Sequence, residues 1–120
     1  MEILRLGAVE QRFADLIWEN APISSGDLVK LCQQELNWKK PTTYTVLRKL
    51  CERGLFQNSD GCVKPVVSKE EYVSLQSEKF VEDTFDGSLP AFLAAFTSRK
   101  PLSQKEIVQI RAMIDAYKEG

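Results

Sequence analysis

The segment WKKPTTYTVLRKLCERG, residues 38–54, carries Thr42, Tyr44, Thr45, Arg48 and Lys49 on a short stretch headed by Lys39 and Lys40. These side chains suit the surface of a nucleic acid. Arginine and lysine address guanine edges or phosphates, and threonine meets a thymine methyl or a phosphate oxygen. Tyrosine can stack on a sugar or bond a phosphate. Five cations (Lys39, Lys40, Arg48, Lys49 and Arg53) stand here against one anion, Glu52, whereas residues 2–37 hold three cations and six anions. The net charge of −1 therefore conceals a local excess. Local charge is what counts when salt shortens electrostatic reach to ~8–10 Å.

Other chemistry is poorly provided for. The chain has no histidine, which excludes histidine-based acid–base or nucleophilic catalysis, and it has no CxxC pair to suggest zinc. No cofactor and no metal are expected, and an enzyme is the weakest reading. Cys32, Cys51 and Cys62 are odd in number and well separated, the pattern of reduced thiols rather than of a disulfide framework. The apolar run around Leu89–Phe96 falls far short of the ~20 residues that span a bilayer, and no basic-then-apolar leader opens the chain. A cytoplasmic protein with no direct membrane insertion is expected.

The elements that must hold the basic segment are legible around it. In LGAVEQRFADLIWENA, Leu6, Val9, Phe13, Leu16 and Ile17 share one helical face. A second helix opens at Ser24 with Asp27 three residues on, and buries Leu28, Val29, Cys32 and Leu36. The third starts near Pro41, which suits the first helical position, and runs over 41–53 to a left-handed stop at Gly54. Thr43, Val46, Leu47 and Leu50 fall on its inner side; Tyr44, Thr45, Arg48, Lys49 and Glu52 fall outside. Strand-like runs at Leu55–Asn58 and Cys62–Val67 flank Ser59-Asp60-Gly61, a hairpin signal.

Three helices and a hairpin make the layout of a winged helix-turn-helix, with the link Asn37–Lys40 as its turn. Ser24 and the hairpin's single cation, Lys64, complete the candidate DNA-contact set. Trp18 and Trp38, at element ends, are expected to pack between helices. Beyond residue 68, helices are expected from Ser68 to about Phe85, over Leu89–Thr97, and from Ser103 to about Lys118. The fold class is mainly α with a small β-hairpin: a winged helix-turn-helix domain, 1–68, followed by a helical dimerisation lobe, 69–120. The stretch LPAFLAAF is apolar on nearly every side and must be enclosed, yet residues 69–120 are too few to wrap it. Leu89, Phe92, Leu93 and Phe96, with Ile107, Ile110, Met113, Ile114 and Tyr117, are the candidates to meet a second copy. A homodimer would present two third helices to half-sites roughly 34 Å apart.

The chain resembles the penicillinase-repressor family, which includes the methicillin-resistance and copper-transport repressors, over nearly its whole length. The carrying residues are LGAVEQRFADLIWENAPISSGDLV, NWKKPTTYTVLRKLCERGLF, FVEDTFDGSLPAFLAAF and LSQKEIVQIRAMID. GSLPAFLAAF followed by an LSxxEI pattern is the most specific of them. The resemblance implies a dimeric repressor on a palindromic operator in double-stranded DNA. It also implies release when a membrane sensor-metalloprotease, or a protease it activates, cuts the dimerising lobe. The matching pair here is Ala95-Phe96, where the best-known relatives have asparagine and phenylalanine. The copper-responsive branch has paired cysteine motifs near its C-terminus; no cysteine follows Cys62 here. Two rival readings stay open: a winged-helix module that docks a protein partner, and a thiol-based redox sensor using Cys62 or Cys51.

Overall fold

Six helices and three short strands follow one another in a computed structural model that describes residues 5–117. Their order is α1 (Ala8–Asn20), β1 (Ile23–Ser24), α2 (Ser25–Leu36), α3 (Lys40–Glu52), β2 (Phe56–Ser59), β3 (Cys62–Pro65), α4 (Lys69–Phe85), α5 (Leu89–Arg99) and α6 (Gln104–Ala116). The fold is mainly α with a small antiparallel sheet, consistent with a winged helix plus a helical lobe. Serines start four of the helices by accepting a free backbone N–H with their hydroxyl oxygen. Ser24 takes that of Asp27 at 3.0 Å, Ser68 that of Glu71, Ser88 that of Ala91 and Ser103 that of Glu106, each of the last three at 3.1 Å. Glu106 returns the favour by accepting the Ser103 N–H at 2.9 Å. That bond holds the Glu106 carboxyl below the usual carboxylate range.

The hairpin forms as the turn chemistry requires. Ser59 pairs with Cys62, leaving a two-residue turn of Asp60 and Gly61 at φ 52° and 77°. Two consecutive left-handed residues define the turn whose twist matches paired strands. The hairpin is not alone, however. Ile23 and Ser24 pair with Val63 and Cys62, so the sheet has three strands in the order β1-β3-β2. A two-residue strand has no periodicity to betray it. Other boundaries also shift. Lys40, not Pro41, is the first residue of α3; α5 runs on to Arg99, and α6 ends at Ala116. Gly54, at φ 84°, follows α3 as a left-handed stop.

The chain divides into two compact units, one ending at Ser77 and the other beginning at Glu78. In the first, Phe13, Ala14 and Ile17 of α1 pack with Leu28 and Cys32 of α2, Leu47 and Leu50 of α3, and Leu55, Phe56 and Val63 of the hairpin. Tyr72 of α4 and Leu6 close this core, and the Tyr72 hydroxyl accepts the Leu6 N–H at 3.2 Å. Trp18 lies against both Phe56 and Tyr72, with ring centroids 5.3 and 5.4 Å away, and its indole N–H donates to the Val67 carbonyl at 3.0 Å. Trp38 packs on Phe13 at 5.3 Å. Val9, expected in the buried stripe, is 54% exposed. The burial of Ala14 turns the stripe toward Glu10 and leaves Val9 at its margin.

In the second unit Phe80 and Phe85 of α4 and Phe92 of α5 meet edge to face, at centroid separations of 5.7–6.1 Å, and Phe96 lies 6.1 Å from Phe92. Helices α5 and α6 nevertheless bury no residue. No described helix is long and apolar enough to cross a membrane. The first core carries a test of its polar closure. Tyr72→Phe leaves the buried Leu6 N–H without its acceptor and is expected to cost about 1–3 kcal/mol. Urea unfolding should show a lower midpoint with an unchanged slope.

Candidate nucleic-acid interface

The inner side of α3 is fixed by what it buries. Thr43, Leu47 and Leu50 are all but inaccessible, and Val46 is half-buried. The Thr43 hydroxyl donates to the Lys39 carbonyl at 3.4 Å, so even the one buried polar side chain is satisfied within the helix. Opposite this side, Thr42, Thr45, Arg48 and Lys49 are exposed, as are Lys39 and Lys40 at the helix start. The Thr45 hydroxyl donates to the Pro41 carbonyl at 2.9 Å, which leaves both lone pairs of its oxygen free to accept.

Charge at this surface is uncompensated. Other basic side chains are neutralised nearby: Lys69 by Asp15 at 3.1 Å, Lys79 by Asp83 at 3.2 Å, and Arg53 by Glu10 at 3.7 Å. Arg53 also donates to the Arg5 carbonyl at 3.3 Å, so this member of the basic cluster is turned back toward α1. Among the described residues Lys39, Lys40, Arg48 and Lys49 form no ion pair. The start of α3 has no side-chain cap and no acidic residue in its first turn. Its free N–H groups and aligned peptide dipoles add positive potential beside Lys39 and Lys40.

Tyr44 behaves differently from its neighbours. Its ring is half-buried against the core, and its hydroxyl donates to the Ser25 oxygen at 3.2 Å. Ser25 opens α2, and its N–H donates to the Gly61 carbonyl of the hairpin turn at 2.8 Å. Neither Ser25 nor Gly61 is evident as a partner from local sequence, because both bonds join residues far apart in the chain. Ser24 is exposed but spends an oxygen lone pair on capping α2. Lys64 lies exposed on β3, on the face opposite buried Val63.

Two of the three cysteines are shifted toward the protonated thiol. Burial pushes the Cys32 thiol up, with partial relief from a hydrogen bond to Thr43, and burial and the Glu52 charge push Cys51 up. Raised thiols hold less of the reactive thiolate. Cys62 is half-buried on β3.

The residues expected to meet a second copy lie in the second unit. Leu89, Phe96 and Ile114 are exposed at 56%, 44% and 65%, and Ala95 is exposed beside Phe96. Phe92, Leu93, Ile107 and Ile110 are half-buried, Phe92 at the centre of the aromatic cluster. Ile110 and Met113 line a shallow apolar groove on α6 with Glu106, Gln109 and Ala112.

The family model described as penicillinase repressor matches residues 6–116. The chain is 22% identical to the penicillinase repressor of Bacillus licheniformis, over 98% of this chain and 94% of that protein. It is 21% identical to the methicillin resistance regulatory protein MecI of Staphylococcus aureus strain Mu50, over 92% and 93% of the two chains. The chain belongs to the penicillinase repressor family, whose members are transcriptional repressors and not enzymes.

Proposed function

We propose that the chain represses transcription by binding a palindromic operator as a homodimer, with α3 in the major groove. The observation that carries this reading is the outer side of α3. There Thr42, Thr45, Arg48 and Lys49 stand exposed and unneutralised on a helix whose other side is locked into a core. A helix fits the major groove, where base edges present distinct donors, acceptors and methyl groups. Arg48 and Lys49 serve as donors to guanine edges or phosphates. Thr42 and Thr45 serve thymine methyls or phosphate oxygens. Lys39, Lys40 and Ser24 contact the backbone and set register, and Lys64 adds a slight contact from the wing.

The division of labour follows the chain: residues 1–68 bind DNA and residues 69–120 dimerise. The exposed apolar side chains of α5 and α6 support pairing of two copies, because a lone chain leaves Leu89, Phe96 and Ile114 in water. Release by proteolysis at Ala95-Phe96, by a membrane sensor-metalloprotease or a protease it activates, is the mode of control that family membership suggests. Cutting there requires α5 to unwind locally, which a helix without a buried residue permits.

Binding to a duplex taken from upstream of the protein's own gene tests the surface assignment. Arg48→Ala should cost ~1–3 kcal/mol of affinity if the guanidinium reads a base. Lys40→Ala should weaken all sequences alike and reduce the salt dependence by about one phosphate equivalent. Parental binding by both variants at several salt concentrations overturns the assignment. Dimerisation is tested separately by sedimentation. Ile114→Asp should raise the dimer dissociation constant by at least about tenfold, as expected when a buried aliphatic side chain is lost. A parent chain that sediments as a monomer contradicts the dimer.

A further inference from the structure

We infer that Tyr44 is a positioning residue: through Ser25 it holds the wing turn and the start of α2 in fixed relation to the DNA-facing side of α3. This inference rests on the reading of α3 as the recognition helix. Two consecutive hydrogen bonds make the link. The Tyr44 hydroxyl donates to the Ser25 oxygen at 3.2 Å, and the Ser25 N–H donates to the Gly61 carbonyl at 2.8 Å. They join the three parts of a winged helix that approach a duplex, which are α3, the beginning of α2 and the turn of the hairpin. The hairpin turn is otherwise poorly anchored. Gln57, Asn58, Ser59, Asp60 and Gly61 are all exposed, and β1 meets β3 over only two residue pairs.

The ring of Tyr44 is half-buried, so its direction is fixed by packing, and the hydroxyl is delivered to Ser25 without the rotamer freedom of a surface side chain. A Cβ built on Gly61 would sit 3.8 Å from the Ser25 oxygen, in ordinary contact, but the turn's φ of 77° restricts the position to glycine or a strained alternative. The link therefore consists of two hydrogen bonds through three residues, Tyr44, Ser25 and Gly61. Tyr44 thus acts on DNA through Ser25 and the wing, and its hydroxyl is not the group that meets a phosphate.

Tyr44→Phe keeps the ring and removes only the hydroxyl; Ser25→Ala removes its acceptor. The full chain is used for the single variants and the double variant. Two measurements are made, both well below the thermal midpoint. The first is exchange of the Ser25 amide proton, which needs no DNA. Tyr44→Phe should speed that exchange while leaving the Leu50 amide unchanged; an unaltered Ser25 amide overturns the inference. The second is affinity for a random-sequence duplex of about three helical turns at low salt. Each single variant and the double variant should lose the same factor, about three- to tenfold, the scale of one hydrogen bond. Full parental affinity in Tyr44→Phe, or losses that add in the double variant, overturns the inference. A purely structural role would lower the thermal midpoint and leave the affinity of the folded protein unmoved. If the parent chain fails to bind the duplex, the repressor reading itself falls, a result distinct from a silent Ser25 amide.

Discussion

Burial of Thr43, Leu47 and Leu50 decides which side of α3 faces water, and the proposed DNA-facing surface depends on that choice. The three positions recur at four- and three-residue spacing, so they form one stripe on a helix of 3.6 residues per turn. Once the stripe is fixed against α1 and α2, Thr42, Thr45, Arg48 and Lys49 have nowhere to point but outward. The same constraint separates members of the basic cluster by role. Arg53, just past the helix, is drawn to Glu10 and the Arg5 carbonyl, while Arg48 and Lys49 keep their charge on the surface.

The two units solve the problem of apolar burial differently. The first closes its own core with Tyr72 and Trp18, whose polar atoms find backbone partners at Leu6 and Val67. The second gathers Phe80, Phe85 and Phe92 into an aromatic cluster but leaves Leu89, Met113, Ile114 and Tyr117 in water. A surface of this kind is unusual for a chain that acts alone. It supports the proposed pairing of two copies through α5 and α6.

Much of this was legible in the sequence because the signals are local. Ser24 with Asp27, Ser68 with Glu71, and Ser103 with Glu106 mark helix starts through bonds spanning three residues, and Asp60-Gly61 specifies a turn by its own backbone preferences. What the sequence concealed depends on distant partners. Strand β1 exists because Ile23 and Ser24 reach Val63 and Cys62, some forty residues on. Tyr44 sits at the edge of the outward arc, where a helical wheel assigns it to solvent; only the position of Ser25 shows where its hydroxyl goes. A helical wheel puts Val9 inside because it weights every valine equally, whereas the small Ala14 is the residue that is fully buried.

The most direct test of the central claim is to follow backbone amide and side-chain methyl resonances while duplex DNA from upstream of the gene is added. The account predicts that the largest shifts fall on Thr42, Thr45, Arg48 and Lys49, with the methyl groups of Leu47 and Leu50 nearly still. Shifts that spare α3 and gather elsewhere on the chain would contradict it.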